Sequence, residues 1–128
     1  MKNITLVALG GSAGAVARYA LTRVISDTVI HHYPWATLVI NLSGCFFIGI
    51  MFVLFEEALV SDELKALLSV GFLGAFTTFS TYSLETINLF HAGHIKSGLT
   101  NIALSNIAGI FFVFAGFYVG KLIVRLVK

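Results

Sequence analysis

Four long apolar stretches separated by short polar connections leave this chain few ways to fold. They cover residues 4–25, 35–55, 64–90 and 97–124, and each reaches the roughly 20 residues an α-helix needs to cross about 30 Å of hydrocarbon. Inside a bilayer the backbone must satisfy its own hydrogen bonds, so apolar runs of this length predict membrane-spanning helices. The expected fold is an all-α membrane protein, one transmembrane domain over residues 1–128 with four transmembrane helices per subunit. Composition agrees, since 58% hydrophobic and only 11% charged residues lie far from the balance of a water-soluble domain. The first stretch contains Arg18 near its middle and is longer than a signal-peptide core, so it reads as a retained helix.

Charge excludes some functions and leaves orientation open. The net charge of +2 is scattered, with no basic run or stripe, so no nucleic-acid partner is expected. Cys45 is alone and mid-span, which argues against a disulfide or a zinc site. His31, His32, His91 and His94 fall in the connections, and neither a nucleophile elbow nor a pair of intramembrane carboxylates is visible, so an enzyme is not expected. Four spans put both termini on one side. Lys2, Lys65, Lys121, Arg125 and Lys128 then lie on that side, against Arg18, Arg23 and Lys96 nearer the other. Five against three is a weak bias for a rule that works through larger ones. A chain with so little preference can insert both ways and form an antiparallel homodimer, and four helices alone are too few to enclose a polar path.

Polar groups within the spans are costly and mark either a pathway or a helix contact. Thr37 and Asn41 stand one turn apart in the second span, with Gly44 a turn further on, forming one polar and small stripe. In the fourth span Asn101 and Ser105 share a face, and Asn106 and Gly109 lie on an adjacent one. Gly10 and Gly14 in the first predict a close helix contact.

The third span departs most from a plain membrane helix. Its segment GFLGAFTTFSTYSLE, residues 71–85, mixes two glycines, five hydroxyl residues and four aromatic rings. At 27 residues the span would be about 40 Å long, with length to spare for a break. Gly71 and Gly74 permit an unwound turn, which at membrane depth is tolerated only where it is buried in protein or lines a cavity. Carbonyls ending the first half-helix can then hold a cation, and the second half presents a positive dipole end. Phe79 and Tyr82 lie on one face just beyond, where their positively polarised ring edges suit an anion. Glu85 fits either a proton or cation site or a carboxylate bonded to its neighbours.

Three segments in order, GGSAGAVARY, NLSGCFFIG and GFLGAFTTFSTYSLE, resemble the signature regions of the small fluoride channels called Fluc or CrcB proteins. The likeness covers the first three spans, and the fourth agrees in length and polarity only. It implies an antiparallel, dual-topology homodimer in the cell inner (plasma) membrane, with two fluoride pores and a structural sodium ion (Na+) at the dimer interface. Phe79 and Tyr82 take the places of the paired pore aromatics, and Gly74 and Thr77 those of the carbonyl ligands of sodium. Thr37 and Asn41 correspond to the pore wall of the second helix, Ser80 and Ser83 to that of the third, and Arg18 to the first-helix arginine. Tyr82 departs from the pattern, in which the second aromatic is a phenylalanine; its hydroxyl adds a donor and bulk.

Fluoride is small and tightly hydrated, and stripping water from an ion costs tens of kcal/mol in a low dielectric unless protein donors replace it. Hydroxyls, amide N–H groups and ring edges are such donors, which makes passive, fluoride-selective conduction the expected activity. Two rival readings remain. A small multidrug-type transporter would need a carboxylate in its first helix, and none lies there before Asp27. A non-transporting membrane scaffold would use the same polar residues only to pack.

Overall fold

The structure, a computed structural model, describes residues 1–28 and 33–128; His31 and His32 lie outside them. Four helical spans are long and apolar enough to cross a membrane, and the protein is a multi-pass membrane protein. Helix α1 is Lys2–Thr28 and α2 is Trp35–Glu56. The third span, Asp62–His91, consists of α3, residues 62–76, and α4, Phe79–His91; the fourth, α5, is Ile95–Val127. The spans outrun their apolar stretches by a few residues at most ends, where helices continue into polar residues such as Lys2 and Arg125. His91 is one of these and closes α4 instead of lying in the connection. Gly93 follows with φ of +79°, a left-handed turn that glycine adopts without strain.

Small residues decide which helices meet, because lipid offers no hydrophobic drive and close backbone approach must supply the contact. On one side α1 packs along α3. A Cβ on Gly10 or Gly14 would collide with the carbonyl of Leu67 or Phe72, and one on Gly71 would stand 2.7 Å from the Val7 carbonyl oxygen. On the other side α2 packs along α5, where a Cβ on Gly116 would strike the Phe46 carbonyl and one on Gly120 would stand 2.9 Å from Val53 Cβ. Ile40, Val53, Leu73 and Phe76 are among the buried residues between these helices.

Two exposed ion pairs fix the ends. Lys2 Nζ lies 3.1 Å from Glu63 and Lys128 Nζ 2.6 Å from Glu57. Exposed pairs contribute little to stability, but these two place both termini beside the turn between α2 and α3, as four spans require. Two stretches are wound as π-helix, residues 65–73 in α3 and 104–108 in α5. The extra residue per turn re-aims side chains and is common at functional sites; Ser69 and Leu73 of the first stretch and Ser105 and Asn106 of the second line one cavity.

Candidate functional site

Between α3 and α4 two residues leave the helix. Thr77 has φ −83° and ψ 158°, and Thr78 has φ −151° and ψ 118°. Both are β-branched and comfortable in extended backbone. The interruption is not at the glycines: Gly74 is helical at φ −62° and ψ −34°, and Gly71 is used for contact with α1.

Side chains replace the helical hydrogen bonds lost here. Asn41 of α2 grips the backbone of Thr78 from both sides, with Oδ1 accepting from the Thr78 N–H at 2.8 Å and Nδ2 donating to its carbonyl at 3.0 Å. Thr78 in turn caps α4, its Oγ1 accepting from the Thr81 N–H at 3.3 Å and donating to Thr81 Oγ1 at 2.9 Å. Thr77 bonds back within α3, its Oγ1 donating to the Leu73 carbonyl at 3.0 Å. In an unbroken helix the Gly74 carbonyl would accept from the Thr78 N–H and the Thr77 carbonyl from the Thr81 N–H. Both of those N–H groups are given to side-chain oxygens instead.

The α2 stripe therefore runs along the third span at three levels. Gly44 makes room for the Thr77 methyl, Asn41 holds Thr78, and Thr37, buried, donates from Oγ1 to Glu85 Oε1 at 2.8 Å. Glu85 Oε2 is buried with no hydrogen-bond partner among the described residues.

Two cavities meet this region. One, of about 380 Å³, is lined by Asn41, Gly74, Thr77, Phe79, Tyr82 and Asn106, together with Cys45, Ser69 and Ser105. The other, of about 220 Å³, is lined by Arg18, Thr37, Thr78, Thr81 and Glu85. Thr78 borders both. The residues singled out in the sequence thus fall into two groups, with Phe79, Tyr82, Asn41, Gly74 and Thr77 around the first cavity and Arg18 and Thr37 around the second. Ser80 and Ser83 line neither: Ser80 Oγ lies 3.4 Å from Thr78 Oγ1, and Ser83 Oγ donates back to the Phe79 carbonyl at 2.9 Å.

Phe79 is 77% exposed, with its ring centroid 5.4 Å from that of Tyr82 and the planes at 52°. Such a ring packs little within the chain. Gly74, Ser80 and Asn106 are exposed as well. In α5, Asn101 faces inward, 2% exposed, and donates from Nδ2 to Thr86 Oγ1 at 2.9 Å, a helix contact that lines neither cavity. Among the described residues no three His, Cys, Asp or Glu side chains converge as metal ligands.

Residues 5–117 match the family model described as CrcB-like protein, Camphor Resistance (CrcB). The chain belongs to the CrcB family. It is 46% identical over 121 residues to a Magnetococcus marinus protein called fluoride-specific ion channel FluC, covering 94% of this chain and 98% of that one. Proteins of the same name from Shewanella denitrificans and Dehalococcoides mccartyi are 45% identical over 116 residues and 40% over 124, covering 91% and 96% of this chain and 94% and 95% of theirs. As a CrcB protein the chain carries its interrupted span, its Asn41 clamp and the exposed Phe79 beside a half-buried Tyr82 within the matched residues.

Sequence reasoning had singled out Asn41 as a wall residue, and its clamp on Thr78 could not be read from spacing. Thr78 itself, Ser69 and Cys45 around the first cavity, and Thr81 around the second, carried no decisive signal, whereas Glu85 stands out as the acidic residue inside the third span. The one signal available for the others was the pair Thr78 and Thr81, a capping residue and its partner three positions on.

Proposed function

We propose that this protein is a passive fluoride channel of the cell inner membrane, working as an antiparallel homodimer with two pores. The observation that carries this reading is the opening between α3 and α4, where an exposed Phe79 ring, Tyr82 and the first turn of α4 border a cavity at membrane depth. Relatives called fluoride-specific ion channels, alike over nearly their whole length, support it. Fluoride entering this region exchanges water for ring edges, hydroxyls and the N-terminal N–H groups of α4, donors already in place. No donor needs to bind tightly, because a conducting site must also release its ion.

What one copy of the chain leaves uncovered supports the dimer. Gly74, Phe79, Ser80 and Asn106 open outward in a chain whose exterior meets lipid, and polar groups there need protein or water. The Gly74 and Thr77 carbonyls fit a monovalent cation, since the N–H groups that would pair with them in a continuous helix are spent on Asn41 and Thr78. Two copies related by a two-fold axis would offer four such oxygens and no carboxylate, a set that suits sodium better than magnesium. A bound ion of this kind would tie the two interruptions together.

The test is efflux from proteoliposomes loaded with fluoride or chloride. Fluoride release without ATP or a proton gradient, with chloride at the protein-free background, is the expected result. Equal chloride release removes selectivity, and flux that needs a proton gradient points to the transporter reading. No flux at all would leave a scaffold.

A further inference from the structure

Tyr82 carries a hydroxyl whose surroundings are lopsided. Asn106 of α5 spends both hydrogens of Nδ2, one on the Ile102 carbonyl at 2.7 Å and one on the Tyr82 Oη at 3.2 Å. Oη thus accepts a bond, while its own proton meets no acceptor among the described residues. Both side chains line the cavity of about 380 Å³, and the Tyr82 ring stands 5.4 Å from Phe79. The half-buried Tyr82 opens on the cavity, and at membrane depth such a donor needs an acceptor from outside the chain. The need is met if a passing ligand accepts from it.

We propose that the Tyr82 hydroxyl donates a hydrogen bond directly to the permeating anion, and that Asn106 is the residue that positions it. The inference rests on the fluoride-channel reading and deepens it. An O–H donated to fluoride is a charge-assisted hydrogen bond, shorter and roughly twice as strong as a neutral one, whereas a bare ring edge offers only its quadrupole. The Asn106 amide does two things. It holds Oη by a lone pair, so that the proton is left for the cavity, and it polarises the O–H, making it a better donor. The preference is for a small, strongly accepting anion. Asn106 touches no ion in this scheme and acts through Tyr82.

Fluoride efflux is measured for the wild type, Tyr82→Phe, Asn106→Leu and the double variant, each first shown by size exclusion to be folded. Tyr82→Phe removes one oxygen and is expected to slow efflux about tenfold, the scale of one charged hydrogen bond. Asn106→Leu should slow it comparably, and the double variant should be no slower than Tyr82→Phe, since Asn106 has nothing to act through once the hydroxyl is gone. A Tyr82→Phe channel conducting within about twofold of wild type overturns the donor role. An Asn106→Leu effect as large on the Tyr82→Phe background as on wild type overturns the positioning role. Wild-type efflux at the protein-free background overturns the channel reading and this inference with it. Should Asn106→Leu fail to elute as folded protein, Tyr82→Phe alone decides the donor claim.

Discussion

Asn41→Leu should unmake the interruption that the channel reading depends on. The substitution keeps the side chain's approximate size and removes both hydrogen bonds to Thr78, at 2.8 and 3.0 Å. Stranding a fully buried donor or acceptor costs about 1–3 kcal/mol each, and these two bonds are part-buried, so the clamp carries at most roughly 2–6 kcal/mol in total. That is an upper range, because the chain has an escape: if Thr77 and Thr78 return to helical angles, the Thr78 N–H can pair with the Gly74 carbonyl. The escape restores the backbone bond and consumes a carbonyl proposed to hold sodium. Thermal unfolding in detergent, followed by circular dichroism, should show a melting temperature lowered by on the order of 10 °C. The second readout is the sodium dependence. Wild type should melt higher in sodium than in choline, by the linkage that gives about 2.7 kcal/mol at a hundredfold excess over Kd, and Asn41→Leu should lose that difference along with fluoride efflux. A variant that melts within about 2 °C of wild type and still responds to sodium would show that Thr78 is held extended by something other than Asn41.

Three further substitutions separate packing from permeation. Phe79→Ile should abolish fluoride efflux with little change in melting temperature, because a ring 77% exposed in the protomer contributes little packing there; normal efflux would make the ring edge irrelevant. Thr37→Val removes the hydroxyl that donates to Glu85 at 2.8 Å and leaves that carboxylate with no donor among the described residues, so stability should fall by about 1–3 kcal/mol in a thermal melt, and an unchanged melt would refute the pairing. Gly74→Ala tests the proposed partner surface: within the chain the added Cβ meets nothing nearer than the Ser69 carbonyl oxygen at 3.9 Å, so loss of the proposed dimer on size exclusion would have to come from contact with a second copy, and an intact, conducting, sodium-responsive dimer would place that interface elsewhere.

What could be read in advance divides along the range of the physics involved. The spans were legible because bilayer thickness imposes length on each one separately, and the contact at Gly10 and Gly14 because small residues a turn apart have one common use in lipid. The partner of that contact was not legible, since Leu67 and Phe72 lie more than 50 positions away. Gly71 and Gly74 drew attention as places to unwind, yet the extended residues are Thr77 and Thr78. Local conformational freedom permits an interruption anywhere along such a segment. What selects the place is a side chain 37 positions away on another helix, and no single-sequence pattern encodes that pairing. Asn101 and Asn106 show the same limit, alike in type and five positions apart, one buried on Thr86 and the other exposed beside Tyr82.

The placement at Thr77 and Thr78 gives one short segment both polarities. Ending α3 at Phe76 leaves its last carbonyls without helical partners, and beginning α4 at Phe79 leaves the Phe79 and Ser80 N–H groups without helical acceptors. Carbonyls free of helical donors and N–H groups free of helical acceptors therefore arise from the same interruption, a few residues apart, with the negative end of one helix dipole and the positive end of the next meeting there. Glycines could open such a gap but could not hold it. Thr78 supplies the cap that starts α4 cleanly, its amide group is the handle that Asn41 grips, and its β-branched backbone resists returning to the helix. A Thr78→Gly chain would keep the handle and lose the cap and the stiffness, so the segment would sample helical and extended forms. Its carbonyls and N–H groups would then pair with each other for part of the time, and the proposed donors would no longer be in place before an ion arrives.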